Sequence, residues 1–339
     1  MPIIESSWEA LIPALSKIWD SKSPKKVMIV TDSSVAPLYL EDVKQKLTKT
    51  SWAISSLQIA PCEDSKSLGS LQKLLASLYE AGLDRSSLIV ALGGGLVSDL
   101  AGFAAAVYMR GIAYINLPTT LLAQADSSIG GKTGINMSGI KNLIGAFHQP
   151  SLVYSNIAAL KTLPEKDFIS GLAEIIKCGI IRDRALLEFM HKYKDAILKR
   201  DETALIHIIR RACAIKSEIV AADEKEAGLR KILNFGHTYG HAIESLLNFE
   251  LPHGHCVAMG MMHDFAHSMH HAKLDLAEVQ FVMYLLHSFG LPTMSELDPI
   301  EIRILMKKDK KAVNEKVPLI LIPKLGEAFV SKEFTYDPA

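Results

Sequence analysis

The stretch SSLIVALGGGLVSDLAGFAAA, residues 86–106, constrains the fold of this chain more than any other. Its first half is an unbroken apolar run of strand length, which suits a strand buried on both faces of a sheet. Gly93, Gly94 and Gly95 end that run, and a helical pattern begins at once. A buried strand that turns directly into a helix implies a parallel sheet with right-handed crossovers. Glycines at such a turn let the backbone approach a pyrophosphate, and the amino end of the helix offers free N–H groups to its charge. The dinucleotide fingerprint is incomplete here. Ser98 fills the last glycine position, and after Asp99 the next acid is Asp126. The turn alone leaves a nucleotide site and a ligand-free tight turn equally open.

The same texture runs through the first part of the chain, where KKVMIVTDSS, SLGSLQKLLASLYEAGL and AYINLPTT alternate strand-like and helical patterns. After LPEKDFISG the periodicity changes. GLAEIIKCGIIRDRALLEFMHKYK, ALIHIIRRACAIKSEIVAADEKE and HCVAMGMMHDFAHSMHHAKL read as helices, and KVPLILIPK as a short strand. No repeat, low-complexity tract or long linker interrupts the sequence. The expected fold class is α/β: a Rossmann-like parallel-sheet domain over residues 1–155, a mainly α-helical domain over 156–339, and an active site in the cleft between them.

Charge narrows the function classes. Lys plus Arg equals Asp plus Glu at 37 each, so the basic excess of a nucleic-acid binder is missing and charge chemistry must come from local clusters. Cys62, Cys178, Cys213 and Cys256 form no C-x-x-C pair and read as reduced, buried thiols of a cytoplasmic protein. MPIIESSWEALIPAL has no basic region ahead of an apolar core, so no signal peptide is expected. The run LAGFAAAVYM stops at Arg110, too short to span a bilayer.

Two local clusters stand out. Residues 117–150, LPTTLLAQADSSIGGKTGINMSGIKNLIGAFHQP, offer Lys132, Lys141 and Asn142 as oxyanion partners. Gly130, Gly131 and Gly134 give Lys132 flexible flanks suited to phosphate capture. The bland alternative is a solvated loop with incidental lysines. Residues 234–255, NFGHTYGHAIESLLNFELPHGH, hold His237, His241, His253 and His255. His237 and His241 share a face if the segment is helical, although Gly236 and Gly240 weaken that helix. A catalytic zinc takes three nitrogen or carboxylate ligands and keeps one position open. Glu174, three residues before Lys177 in GLAEIIKCGII, is a natural third ligand. A buried Glu–Lys pair there is costly without a partner such as a metal, whereas an exposed pair would explain the spacing equally well. Spacing does not choose which two of the four histidines bind. His267, His270 and His271 lie on a polar helical stretch and are expected to be exposed.

Taken together, GGGLVSDLAGF, RGIAYINLPTTLLAQADSSIGGKTGIN, GIKNLIGAFHQP, GLAEIIKCGII, LNFGHTYGHAIE, PHGHCVAMGM and DKK resemble the 3-dehydroquinate synthase family of sugar-phosphate cyclases, over roughly residues 24 to 330. The resemblance implies an NAD-binding first domain and a second domain that binds metal and substrate. It implies zinc, with cobalt as an alternative, on Glu174, His237 and His253, and makes His241 an active-site residue that is not a ligand. It implies NAD contacts at Asp32, Glu63, Lys66, Gly93, Gly94, Gly95, Asp99, Thr119, Thr120, Lys132, Lys141 and Thr162. Substrate contacts fall on Arg110, Asp126, Lys141, Asn142, Arg230 and a lysine of DKK, Lys310 or Lys311. Lys132, Lys177, Lys216, Asn234 and His241 take catalytic roles. The sequence departs from the family pattern at His255, where glutamate is usual, and at Ser98, where glycine is common.

The reaction so implied converts 3-deoxy-D-arabino-heptulosonate 7-phosphate to 3-dehydroquinate and phosphate, a step of the shikimate pathway to aromatic amino acids. Phosphate must leave beside a carbon that is not acidic. Transient oxidation of a hydroxyl by NAD makes the adjacent C–H acidic; re-reduction, ring opening and aldol closure follow. The cofactor ends as it began. Cations would hold the two anionic ends: Lys132, Lys141, Asn142 and a DKK lysine the phosphate, Lys216 and Arg230 the carboxylate. The resemblance further suggests a cytoplasmic homodimer, with neither nucleic acid nor membrane as partner. Rival readings are another cyclase such as 2-deoxy-scyllo-inosose synthase, a polyol dehydrogenase resembling glycerol dehydrogenase, and a non-catalytic protein that retains the fold.

Overall fold

The structure, a computed structural model, describes residues 1–18, 26–138, 140–306 and 317–336. The chain divides into two compact units, Met1–Leu163 and Pro164–Ala339.

The first unit contains strands β1 (Ile3–Glu5), β2 (Lys26–Asp32), β3 (Ala53–Ile59), β4 (Leu88–Gly93), β5 (Ala113–Pro118), β6 (Lys132–Met137), β7 (Ile140–Phe147) and β8 (Leu152–Asn156). Its helices are α1 (Leu11–Ser16), α2 (Glu41–Leu47), α3 (Leu68–Glu80) and α4 (Gly95–Val107). Six strands form one parallel sheet in the order β1-β8-β5-β4-β2-β3. Successive residues of a strand face opposite sides, and β2 and β4 divide their side chains accordingly. Met28, Val30, Ile89 and Ala91 pack with α3 and α4, while Val27, Ile29, Leu88, Val90 and Leu92 pack with α1 and α2. A strand covered on both faces needs no polar alternation, which is why LIVALG is apolar throughout. The edge strand β3 alternates partly buried and exposed positions instead.

β6 and β7 form a separate antiparallel hairpin, so the glycine-rich stretch expected to be flexible is largely regular structure. Gly134 pairs with Gly145, and a Cβ on Gly145 would lie 2.1 Å from the Thr133 carbonyl oxygen. These glycines serve close strand approach rather than mobility.

The second unit contains α5 (Glu165–Arg182), α6 (Arg184–Lys192), α7 (Lys194–Leu198), α8 (Glu202–Ala222), α9 (His237–Leu246), α10 (His253–Ala272), α11 (Leu276–Ser288) and α12 (Pro299–Met306). α5 is buried continuously from Ser170 to Ile181. α10 packs on α5, α9 and the strand β9 (Val317–Lys324), which pairs antiparallel with β10 (Glu327–Tyr336). KVPLILIPK is thus one arm of a hairpin whose second arm the sequence pattern did not announce. None of the four cysteines is in a disulfide; three are buried, but Cys62 is exposed, contrary to expectation. Of the histidines expected to be exposed, His270 is exposed, but His267 and His271 are partly buried. No helix among the described residues is long and apolar enough to cross a membrane.

Candidate active site

In the parallel sheet, β2 has β3 on one side and β4 on the other. The chain therefore leaves β2 in one direction and later returns past it, which opens a crevice at the carboxyl ends of these strands. Asp32 ends β2 and Gly93 ends β4. A Cβ on Gly93 would lie 2.6 Å from Val97 Cγ2 and 3.4 Å from Asp32 Oδ2, so only glycine fits beside that carboxylate. Asp32 Oδ1 accepts hydrogen bonds from the Ser34 and Val35 amides, which fixes its orientation. The Thr119 amide donates to the Gly93 carbonyl, and the Thr120 side chain stands 3.0 Å from the place a Gly94 Cβ would take. Ser98, the departure from the glycine pattern, is buried and donates its hydroxyl to the Gly95 carbonyl, so it satisfies itself inside the turn. Thr162 follows β8 on this same edge of the sheet, and its hydroxyl hydrogen-bonds that of Tyr39.

Lys66 is buried and donates to Asp99 Oδ2 at 2.6 Å and to Asn142 Oδ1. Glu63 lies 3.9 Å from both Lys66 and Lys141, and accepts from Asn136 Nδ2 at 2.8 Å. Asn136 also accepts from the Asn142 amide and donates its own amide to the Lys66 carbonyl. This residue, passed over in the sequence, ties the hairpin to the Glu63–Lys66 turn by two hydrogen bonds and braces the hairpin by a third. Lys141 and Asn142 therefore join the cluster around Lys66, whereas Lys132 begins β6, about 13 Å back along the ladder. Asp126 lies in a short π-helical turn, Ala123–Ser127, after β5. Arg110 does not join them. It is exposed with φ +68 at the far end of α4, about 20 Å of helix away from the Gly95 end and at the opposite edge of the sheet.

The second unit gathers the metal candidates. Glu174 and Lys177 are 1% and 2% exposed and paired in the middle of α5, which removes the exposed-pair reading. His237 opens α9 and His253 opens α10. His237 Nε2 lies 3.6 Å and His253 Nε2 3.7 Å from Glu174 Oε1. These gaps are long for hydrogen bonds, yet close to the roughly 3.3–3.4 Å edge that ligands about 2.0–2.1 Å from a tetrahedral ion must span. Lys177 holds Glu174 Oε2, whereas Oε1, the oxygen nearest both imidazoles, is buried without a hydrogen-bond partner. His237 Nδ1 donates to the Phe235 carbonyl at 3.1 Å, and His253 Nδ1 to the buried carboxylate of Glu244 at 3.3 Å. Each bond places the ring proton on Nδ1 and leaves Nε2 bare as a ligand. The donor set fits a divalent cation. Ligand nitrogens of His237, His241 and His253 all lie within 4.8 Å of one another.

Glycines set this convergence. A Cβ on Gly254 would lie 2.0 Å from the Ser170 carbonyl oxygen, and one on Gly260 2.0 Å from that of Gly236. Gly236 has φ +79 just ahead of α9, and its amide donates to the buried Asp264 at 2.6 Å. So Gly236 stands outside the helix it was expected to weaken, and Gly240 faces the α10 backbone so closely that a Cβ would lie 3.1 Å from Val257 Cα, a tight contact. Glu244, Asp264 and Ser170 support the site but carried no signal in the spacing of the histidines.

Lys216 on α8 and Arg230 on the 3-10 turn Leu229–Asn234 are buried as well. Asp223 builds that turn by accepting from the amides of Ala227, Gly228 and Arg230, and those donors hold its carboxyl below the usual range. Arg230 donates to the Glu224 carbonyl and Asn234 to the Glu226 carboxylate. Lys310 and Lys311 lie outside the described residues. His255 is half-buried, and burial lowers its pKa.

A glycine turn on a parallel sheet and a helical unit with a carboxylate–imidazole pocket define the class of the sugar-phosphate cyclases. In fold, the chain matches 2-epi-5-epi-valiolone synthase of Streptomyces hygroscopicus, solved with NAD+ and Zn2+ bound, at a TM-score of 0.90 and 26% identity over 99% of this chain and 93% of that one. It also matches 2-deoxy-scyllo-inosose synthase at 0.84 and 23% identity, over 98% and 92%. Within that class, the family models of the 3-dehydroquinate synthase N-terminal and C-terminal regions cover residues 56–170 and 171–312. The 3-dehydroquinate synthases of Thermoanaerobacter pseudethanolicus and Acidithiobacillus ferrooxidans are each 45% identical, over 90% and 92% of this chain and 86% of each relative. The chain belongs to the 3-dehydroquinate synthase family and is an enzyme.

Proposed function

We propose that this chain converts 3-deoxy-D-arabino-heptulosonate 7-phosphate to 3-dehydroquinate and phosphate, with NAD and one divalent cation, zinc or cobalt. The family match supports the reaction. The observation that carries the chemistry is Glu174: a buried carboxylate held at one oxygen by Lys177, whose other oxygen has no hydrogen bond and faces two imidazole nitrogens with their protons held on the far side of each ring. When bound, NAD supplies reversible oxidation of a hydroxyl, and the cation supplies Lewis acidity at the substrate's hydroxyl oxygens.

The chain's own residues bind and orient. Glu174, His237 and His253 hold the cation. Asp32, Glu63, Lys66, Asp99, Thr119, Thr120, Thr162 and the Gly93–Gly95 turn hold NAD, with Lys141 beside them. Lys132, Lys141 and Asn142 receive the phosphate, and Lys216 and Arg230 the carboxylate. Lys216 and Arg230, both buried in the second unit, are cations of the kind that receives a substrate carboxylate. His241, with its ring 5.3 and 5.8 Å from those of His237 and His253, and Lys177 hold and move protons at the reacting hydroxyls. Arg230 favours a substrate carboxylate, which separates this reading from cyclases whose sugar phosphates carry no carboxylate. We read the protein as a cytoplasmic homodimer with no nucleic-acid or membrane partner.

The test is phosphate release from the heptulosonate phosphate with catalytic NAD and no accumulation of NADH. His237→Ala should lose metal and turnover together. Sustained NADH formation from a simple polyol, or full turnover by metal-free His237→Ala, would sink the assignment. Light scattering that returned the mass of one chain would remove the dimer.

A further inference from the structure

The β6–β7 hairpin is irregular at one point. Ile135 pairs with Ile144 and Met137 with Ile140, so Asn136 alone stands opposite Lys141, Asn142 and Leu143. Several residues against one make a bulge, which interrupts the ladder and re-aims the side chains it carries. Asn136 supplies what the ladder lacks there. Its Oδ1 accepts from the Asn142 amide at 2.9 Å. Its own amide turns out of the hairpin and donates to the Lys66 carbonyl at 2.7 Å, and its Nδ2 donates to Glu63 Oε1 at 2.8 Å. A carboxamide can serve both sides because it carries an acceptor and two donors in one plane. Asn142 has φ +50, a conformation that a non-glycine residue keeps only where its surroundings hold it. The bond from its amide to Asn136, and the one that Lys66 donates to its Oδ1, supply that hold. Lys141, in the same bulge, comes 3.9 Å from the Glu63 carboxylate that Asn136 also holds.

We propose that Asn136 is a positioning residue for the phosphate grip. This rests on the reading that Lys141 and Asn142 receive the phosphate. Asn136 acts through the Asn142 backbone rather than by contact with a ligand. It fixes the bulge from which Lys141 and Asn142 reach the anion, and it anchors that bulge on the Glu63–Lys66 turn assigned to NAD. Without its carboxamide the Asn142 amide loses its acceptor, and phosphate must order the bulge as it binds, which weakens binding.

Titration of inorganic phosphate into the full chain, loaded with NAD and Zn2+, tests this. Asn136→Ala should weaken phosphate binding about tenfold, with metal content and far-ultraviolet dichroism unchanged. The same change in an Asn142→Gly background separates positioning from general support of the hairpin. Glycine takes a positive φ unaided, so Asn136→Ala should there weaken binding less than about threefold. Undiminished affinity in Asn136→Ala, or an equal loss in both backgrounds, would overturn the proposal alone. A wild-type chain that bound no phosphate, or bound it equally well after Lys141→Ala, would overturn the phosphate reading and this proposal with it.

Discussion

At the scale of residues, Glu244 shows how a site can depend on a group that touches neither cation nor substrate. Its carboxylate holds the Nδ1 proton of His253 and so decides which nitrogen of that ring is bare. Glu244→Ala should lower metal affinity by about 10–100-fold while leaving the far-ultraviolet dichroism intact; dialysis against a calibrated chelator reads the change. The Glu174–Lys177 pair makes a different prediction. Glu174→Ala strands a buried ammonium and should cost about 3–5 kcal/mol in urea unfolding of the metal-free protein. Replacing Lys177 by Met in the same variant should recover much of that loss. An equal loss in both variants would mean the carboxylate stabilises the fold through other neighbours.

Between elements, geometry is set by missing side chains. Gly254 lets the first turn of α10 rest on the Ser170 carbonyl, which brings His253 toward Glu174. Gly254→Ala alters no ligand, yet should push α10 away from α5, at about 1–3 kcal/mol, and reduce metal content; normal metal content would refute this. The glycines of NFGHTYGH and PHGH were legible as residues but not as contacts, because the backbone each one meets lies in another helix. The strand–turn–helix at Gly93 was legible because its partners are local in sequence. The β6–β7 hairpin was not, since a polar, glycine-rich composition suits a loop equally well. The ligand histidines could be narrowed only to a group of four. The choice of His237 and His253 that we propose rests on Phe235 and Glu244 fixing tautomers, and on α5 passing opposite, none of which spacing encodes.

For the molecule as a whole, the glycine-turn site and the Glu174–histidine pocket belong to separate compact units, so they should fail separately. Gly93→Ala places a methyl against Val97 and Asp32 and should abolish NAD binding, measured by fluorescence titration, while the metal content stays normal. Stability should also follow pH in a set direction. Burial lowers the folded-state pKa of His263 and His267 from 6.5, so the unfolded chain binds protons more readily. Their contribution is complete above the unfolded pKa and declines as pH falls through 6.5 toward the lower folded values. The urea midpoint should therefore drop between about pH 7.5 and pH 5.5, and His263→Gln should flatten that slope.

Glu174, His237 and His253 come from three helices, with some sixty residues of chain between the first two and about sixteen between the last two. An ion on all three is therefore a reversible cross-link that closes two loops at once. Stripping it should leave amide exchange across the six-stranded sheet unchanged, but speed exchange at the starts of α9 and α10, where the released chain first has room to open.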